Sequence, residues 1–381
     1  MKLRAGLSLL CGLSVLAGCR TVPLDGSALA QGSPAQADLW DIDWRVQLVS
    51  PGLLEYAPRE LATPAIDPDT RRVYALTRDR MVRAISPDGK LEWEFETRGP
   101  FNAGAAVHEG TLYVPGADGF LYALKARTGE LLWKYDAKEE LATTPVIEGD
   151  LVLVASMTDT LFAVNRSSGE WVWQYRRDTP AGFTIRGASA PVVGGGRAYV
   201  GFSDGFFVAL DLKDGTLEWE RKLGTGTEFI DVDTTAVLDE AAGRVYVASY
   251  QDGLFALEAQ GGEVQWTTSA SGINHLVVDA GTVFATGDAQ VAAFNGETGQ
   301  RLWSKVLKNR AGRRPVLARG MLLVPQDNLL LFLNPRSGKE QVSWDPGDGV
   351  SAAPLVVGSH LYVLSNLGFL YSMYLQPLGR G

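Results

Sequence analysis

Few side chains in this 381-residue sequence are of a type and spacing to do chemistry. The three histidines, His108, His275 and His360, fall in separate stretches of the chain, and His108 and His360 sit near hairpin turns, which argues against a shared metal. Asp231-x-Asp233 places two carboxylates where one Ca²⁺ could meet both, but the other oxygen ligands such an ion needs are missing nearby. A turn or loop role is the competing reading of that pair. Gly194-Gly195-Gly196 lacks the strand and helix that a phosphate loop requires. Arg313-Arg314 stands where neighbouring repeats carry small residues, and reads either as positive charge at a channel mouth or as outward-pointing loop arginines. These residues assign no catalytic group, cofactor site or metal site.

The two cysteines, Cys11 and Cys19, lie in the first twenty residues. Lys2 and Arg4 open a positive segment and Ala5 to Leu16 an apolar one, too short to span a bilayer permanently. The stretch ends on Leu16-Ala17-Gly18-Cys19, small residues before a cysteine, as a lipoprotein signal peptidase requires. We therefore expect a signal peptide over residues 1–18 and a lipid on Cys19. Arg20, where an Asp would favour inner-membrane retention, points to the outer membrane. Residues 19–38, rich in Ala, Gly, Ser, Gln and Pro, read as a flexible tether reaching on the order of 25 Å. A chain processed in this way has no disulfide and relies on its core. Its formal charge of −9 becomes about −11 once Lys2 and Arg4 are removed. An acidic chain without a Lys/Arg run is a poor partner for nucleic acid or for an anionic membrane.

The elements that position these residues come from a repeat. Glycine followed four residues later by tryptophan recurs at Gly89/Trp93, Gly129/Trp133, Gly169/Trp173, Gly215/Trp219, Gly262/Trp266 and Gly299/Trp303, with a looser copy at Gly338/Trp344. Successive tryptophans are 40, 40, 46, 47, 37 and 41 residues apart. Between them run alternating apolar segments such as Leu121-Tyr122-Ala123-Leu124, joined by Asp-Gly turns at Asp118-Gly119, Asp204-Gly205 and Asp252-Gly253. Four short strands per unit, repeated radially, predict an all-β fold: an eight-bladed β-propeller of four-stranded antiparallel blades. The last unit has three strands, and Trp40 to Leu48 supplies its fourth, closing the ring between the two ends of the chain. Seven blades plus a stray hairpin is the competing count. The propeller is expected over residues 39–376, with a tail over 377–381.

Measured from each Trp to the start of the next inner strand, most connections take 10 to 13 residues. Trp173 to Pro191 takes 18 and Trp219 to Ala236 takes 17. Two adjacent blades thus carry over-long loops on one rim, at 174–190 and 220–235. Phe183, Ile185 and Arg186 lie in the first, and Asp231 and Asp233 in the second. Arg186 and Asp231 each stand five residues before an inner-strand start, at equivalent places in adjacent blades. Loop length alone leaves two readings open: an intramolecular ion pair, or a contact patch with apolar residues beside an arginine. Asn274 and His275 replace the usual small residues ahead of an inner strand that begins at Val277, where a lining role is expected.

The pattern Ala-Leu-x-x-x-Thr-Gly-x-x-x-Trp, clearest from Ala123 to Trp133, resembles the repeat of the quinoprotein-like (PQQ-like) propellers. With the lipobox and eight blades, the chain is similar to the BamB family of the β-barrel assembly machinery. Ile185-Arg186-Gly187-Ala188-Ser189-Ala190-Pro191 and Asp231-Val232-Asp233-Thr234-Thr235 look like the two loop motifs by which that family grips a periplasmic POTRA domain of BamA. Ala188 stands where the family has Glu, Ala236 where it has Pro, and Phe183 and Ile185 where it has leucines. The resemblance implies a non-catalytic scaffold lipoprotein, without a cofactor. It would face the periplasm and bind BamA through Phe183, Ile185, Arg186, Asp231 and Asp233, with nascent outer-membrane proteins as further partners. The wider repeat family offers an enzyme alternative, a PQQ-dependent dehydrogenase using calcium and an adjacent-cysteine disulfide. A third reading is a periplasmic propeller that binds a peptide or small ligand, for example by adding a strand to a blade edge.

Overall fold

The computed structural model describes residues 39–52, 55–178, 187–225, 229–287, 289–308 and 313–376. Cys11, Cys19 and the expected tether lie outside them, as do Phe183, Ile185 and Arg186. The described residues form eight four-stranded antiparallel sheets and no helix. Seven blades run in chain order, at 65–96, 106–136, 146–176, 192–222, 237–268, 273–306 and 316–344. Blade 8 combines three late strands (355–375) with Trp40–Gln47, which pairs antiparallel along Phe369–Leu375 from Trp40↔Leu375 to Gln47↔Phe369. The ring is closed as the repeat count requires.

Within each blade the two middle strands are almost fully buried, and the outer strand alternates exposed and covered residues. The cores lie between blades: Leu153, Leu161 and Trp173 of blade 3 pack on Ala198, Val208 and Leu210 of blade 4. This interlock explains the Gly-x-x-x-Trp spacing. Trp133 of blade 3's predecessor lies flat on Gly169, where a β-carbon would sit 2.5 Å from its ring; Trp173 lies on Gly215 in the same way, and Trp219 on Gly262. Each glycine also has positive φ, so one residue meets two demands that only glycine satisfies. The ring N–H then donates to a carbonyl of the facing turn, Trp133 Nε1 to Arg166 O at 3.1 Å and Trp173 Nε1 to Leu212 O at 3.0 Å. In several blades a buried tyrosine donates to the same carbonyl, as Tyr113 does to Arg166 O. Trp44 repeats the contact on Gly89 and donates to Pro87 O at 2.8 Å, which locks blade 8 to blade 1.

One strand start departs from expectation. The inner strand of blade 6 is Ile273–Asp279, not a run beginning at Val277, and its pairing shifts between Ile273 and His275. The added strand residues carry a bulge between Ile273 and His275.

Candidate functional site

Strands alternate in direction, so the connection from each outer strand to the next inner strand emerges on the same rim as the central hairpin of every blade. On this rim the over-long connections leave blades 3 and 4. In the second of them, Val232 is fully buried in the core between blades 4 and 5, and its N–H donates to Phe202 O at 3.1 Å. Gly201 and Gly224 admit the backbone: a β-carbon on Gly201 would lie 1.8 Å from Val232 O, and one on Gly224 would lie 2.0 Å from Ile230 O. Thr225 N–H bonds Asp252 Oδ2 at 3.0 Å, and Ser249 Oγ donates to the same oxygen at 3.2 Å. The loop is therefore fastened at both ends and threaded between blades.

That threading fixes its two carboxylates. Asp231 is fully buried, with its own carbonyl accepting from Tyr250 N–H at 3.4 Å. Asp233 packs against Gly187, where a β-carbon would sit 2.2 Å from Asp233 Oδ2. This contact brings the described end of the first long connection against the second. Burial, and then the charge of Asp231, push the Asp233 carboxyl up to about 6, with Asp159 adding to the repulsion.

Asp159 is a member of this group that loop length did not reveal. It occupies the hairpin position that Gly119, Gly205 and Gly253 hold in other blades, and has φ +57 there. Its Oδ1 accepts from both Ser203 N and Ser203 Oγ at 3.0 Å, so a side chain standing where the repeat favours glycine bridges blade 3 to blade 4. The signal was present in the sequence as an Asp in a turn that elsewhere reads Asp-Gly. Beside it Arg177 binds Asp204 Oδ2 at 2.5 Å and Glu220 Oε2 at 2.7 Å, with its guanidinium 4.3 Å over the Phe206 ring. Burial works against the Arg177 charge, and Asp204 and Glu220 more than offset it, leaving its pKa raised.

Phe229 was also missed. It is 40% exposed and has φ +53, a left-handed conformation that is unusual for an aromatic residue. An apolar ring is thus held outward by a strained backbone, two residues before buried Asp231. Nothing in the local sequence marks it.

The remaining candidates separate. His108 lies beside Glu109, His360 Nδ1 meets Arg71 Nη2 at 3.0 Å, and His275 lines the central passage, so the three histidines share no site. Among the described residues no group of three His, Cys, Asp or Glu is placed to hold a metal ion. Cys11 and Cys19 are not neighbours and cannot form an adjacent-cysteine disulfide. Among the described residues, then, no such group matches the calcium site expected of a PQQ-dependent dehydrogenase.

Comparison with known proteins places these features in context. A family model described as "Outer membrane protein assembly factor BamB" matches residues 78–305 and 287–373. Curated proteins of that description are similar to this chain: that of Yersinia pestis is 32% identical over 206 residues, covering 51% of each chain, and that of Legionella pneumophila is 30% identical over 195 residues, covering 49% of this chain and 50% of its own. The Escherichia coli protein is 28% identical over 207 residues, 51% of this chain and 52% of its own. The chain spans about half the length of the curated relatives it matches. Among solved structures, BamB from Moraxella catarrhalis superposes with a TM-score of 0.76 at 23% identity, covering 88% of this chain and 99% of that one. The quinohemoprotein alcohol dehydrogenase from Comamonas testosteroni reaches 0.72 at 15% identity, covering 92% of this chain and 78% of its own. At these identities the structural likeness shows a common fold.

Proposed function

Because the chain belongs to the family of outer membrane protein assembly factor BamB, we propose that it serves outer-membrane protein assembly as a non-catalytic scaffold. In this reading a periplasmic POTRA domain of BamA docks on the rim of blades 3 to 5, and through it the chain joins the assembly complex that folds and inserts β-barrel proteins. Acylated Cys19 anchors the chain to the outer membrane, facing the periplasm, and residues 20–38 are the tether.

The observation that carries the proposal is the construction of the second long loop. Three carboxylates are gathered where burial and mutual repulsion raise the pKa of Asp233, an arrangement that costs stability. A left-handed Phe229 adds to that cost. Such strain, kept on a loop that a rigid scaffold fastens at both ends, suits a preorganised docking surface. Phe229, Phe183 and Ile185 then supply apolar anchors, and Arg186 a bidentate-capable charge. Asp231, being buried, acts by holding the loop rather than by touching the partner, and Asp233 stands between the two long connections.

Immobilised full-length chain should capture the BamA POTRA region, and Arg186→Ala should weaken capture about tenfold or more with the circular dichroism spectrum unchanged. Undiminished capture by both Arg186→Ala and Phe229→Ala removes this surface from consideration. PQQ-dependent dye reduction by the purified chain overturns the scaffold reading itself.

A further inference from the structure

The inner strands surround a passage along the propeller axis, widened at both ends. The cavity on the rim already described is about 490 Å³, and every blade contributes to its wall, for example through Thr63, Thr143, Thr235, His275 and Ser351. The cavity towards the opposite rim is about 600 Å³ and mostly aliphatic. Thr63, Thr144, Arg314 and Ala353 line both, so Arg314 stands at the waist between them.

The charges facing this passage are few. Arg313 Nη2 binds Asp327 Oδ1 at 3.1 Å, but the other oxygen of Asp327 is taken by Arg59 Nη2 at 3.1 Å, so one carboxylate serves two guanidinium groups. Arg313 Nε is buried and makes no hydrogen bond among the described residues. Glu140, at the wall, accepts from Asn102 Nδ2 at 2.5 Å, and Asp279 is an exposed residue of the far cavity. Arg314 forms no ion pair among the described residues. Arg314 is exposed to the passage, and the inner strands around it lower its pKa by desolvation. His275, in the strand of blade 6, is pushed down to about 4 by burial and then by the charges of Arg313 and Arg314. It is therefore neutral at physiological pH and keeps one N–H donor and one acceptor. The Arg313 backbone is pinned by Thr286 Oγ1, which donates to its carbonyl at 2.8 Å, and by its own N–H bond to Pro325 O at 3.0 Å.

At the waist the other shared lining residues, Thr63, Thr144 and Ala353, are small or hydroxylated, so an arginine there with no ion-pair partner among the described residues leaves its guanidinium donors open to an anion entering the passage. A guanidinium binds an oxyanion through two parallel, charge-assisted hydrogen bonds. We propose that the axial passage is a binding site for a small oxyanion, a phosphate or carboxylate group, held by Arg314 at the waist with His275 and the hydroxyls of Thr63 and Thr144 in the same wall. The site is separate from the docking surface proposed above and does not depend on it.

Isothermal titration of the purified full chain with inorganic phosphate, and in parallel with succinate, at ionic strength held constant with sodium chloride, tests the assignment. Saturable binding of either anion is expected: phosphate alone identifies a phosphate group as the ligand, succinate alone a carboxylate. Arg314→Gln should weaken binding at least tenfold, Arg314→Lys should fall between, and removal of the exposed charge in Arg127→Gln should change nothing. Arg314→Gln should still capture the POTRA region as wild type does, so the two proposals fail independently. Absence of saturable binding of both anions to the wild-type chain overturns the site. So does unchanged affinity in Arg314→Gln or, should that variant not fold, equal affinity of Arg314→Lys and wild type.

Discussion

Replacing Gly169 by alanine tests the contact that locks neighbouring blades. A β-carbon there would lie 2.5 Å from Trp133 Cε3 and 2.6 Å from Cδ2, and the residue has φ +73. The left-handed backbone costs an alanine about 1 kcal/mol. Reaching ordinary contact distance also requires the Trp133 ring to retreat by roughly 1 Å, which forfeits part of its dispersion contact with the turn. The same movement stretches the 3.1 Å bond from Trp133 Nε1 to Arg166 O, worth about 1 kcal/mol. Gly169→Ala should therefore cost about 3 kcal/mol in all. In a Trp133→Leu background the ring is gone, and the same change should cost only the backbone share, leaving a coupling of about 2 kcal/mol. Urea unfolding followed by far-ultraviolet circular dichroism measures all four corners of the cycle without relying on the altered tryptophan. Additive costs, within about 0.5 kcal/mol, would refute the reasoning, since backbone conformation alone would then account for the glycine.

Three further outcomes are expected. Asp233 titrates at about 6 when folded and near 3.8 when unfolded, so the native state holds a proton through that window that the unfolded chain has released. Its contribution to stability falls as pH rises from 3.8 to 6. Asp233→Asn should accordingly match wild type at pH 4 and exceed it by about 1–3 kcal/mol at pH 7.5, and a difference that does not grow with pH contradicts this. Phe229→Gly should relieve the left-handed strain and stabilise the fold by about 1 kcal/mol while weakening POTRA capture; a loss of stability would show that the ring is packed rather than presented. Trp44→Ala should cost about 2 kcal/mol and loosen the seam between blades 8 and 1, read as faster hydrogen exchange along Trp40–Gln47 and Phe369–Leu375 than at any other blade pair.

The propeller was legible because its determinants are local. Strand alternation, Asp-Gly turns and the Gly-x-x-x-Trp interval all lie within about forty residues, and the incomplete last unit points to Trp40–Leu48 as its missing strand, which forms over Trp40–Gln47. What the glycines do was only half legible. Positive φ follows from the turn, but the tryptophan that lies on Gly169 belongs to the preceding repeat, a contact visible only once the blades are stacked. Loop length drew attention to Asp231 and Asp233, and could not say that Asp231 is fully buried or that Asp159 joins them from a hairpin in blade 3. His275 was placed ahead of its strand because a bulge adds residues without interrupting the apolar pattern. For Arg313 and Arg314 the sequence supports a channel mouth and an outward loop equally; both line the axial passage, since the inner-strand start of each blade points to the axis. Phe183, Ile185 and Arg186 lie outside the described residues, and their part in the site rests on sequence.

The central claim is that the two long connections form one docking surface for a partner of the outer-membrane assembly machinery. The most direct measurement is the affinity of the purified BamA POTRA region for wild-type chain, Arg186→Ala, Phe229→Ala and the double variant, each with its fold verified. The account predicts a loss of about tenfold or more for each single change. Because the residues belong to neighbouring loops of one patch, it also predicts a double variant that departs from the product of the two losses. Wild-type affinity retained in the double variant would contradict it.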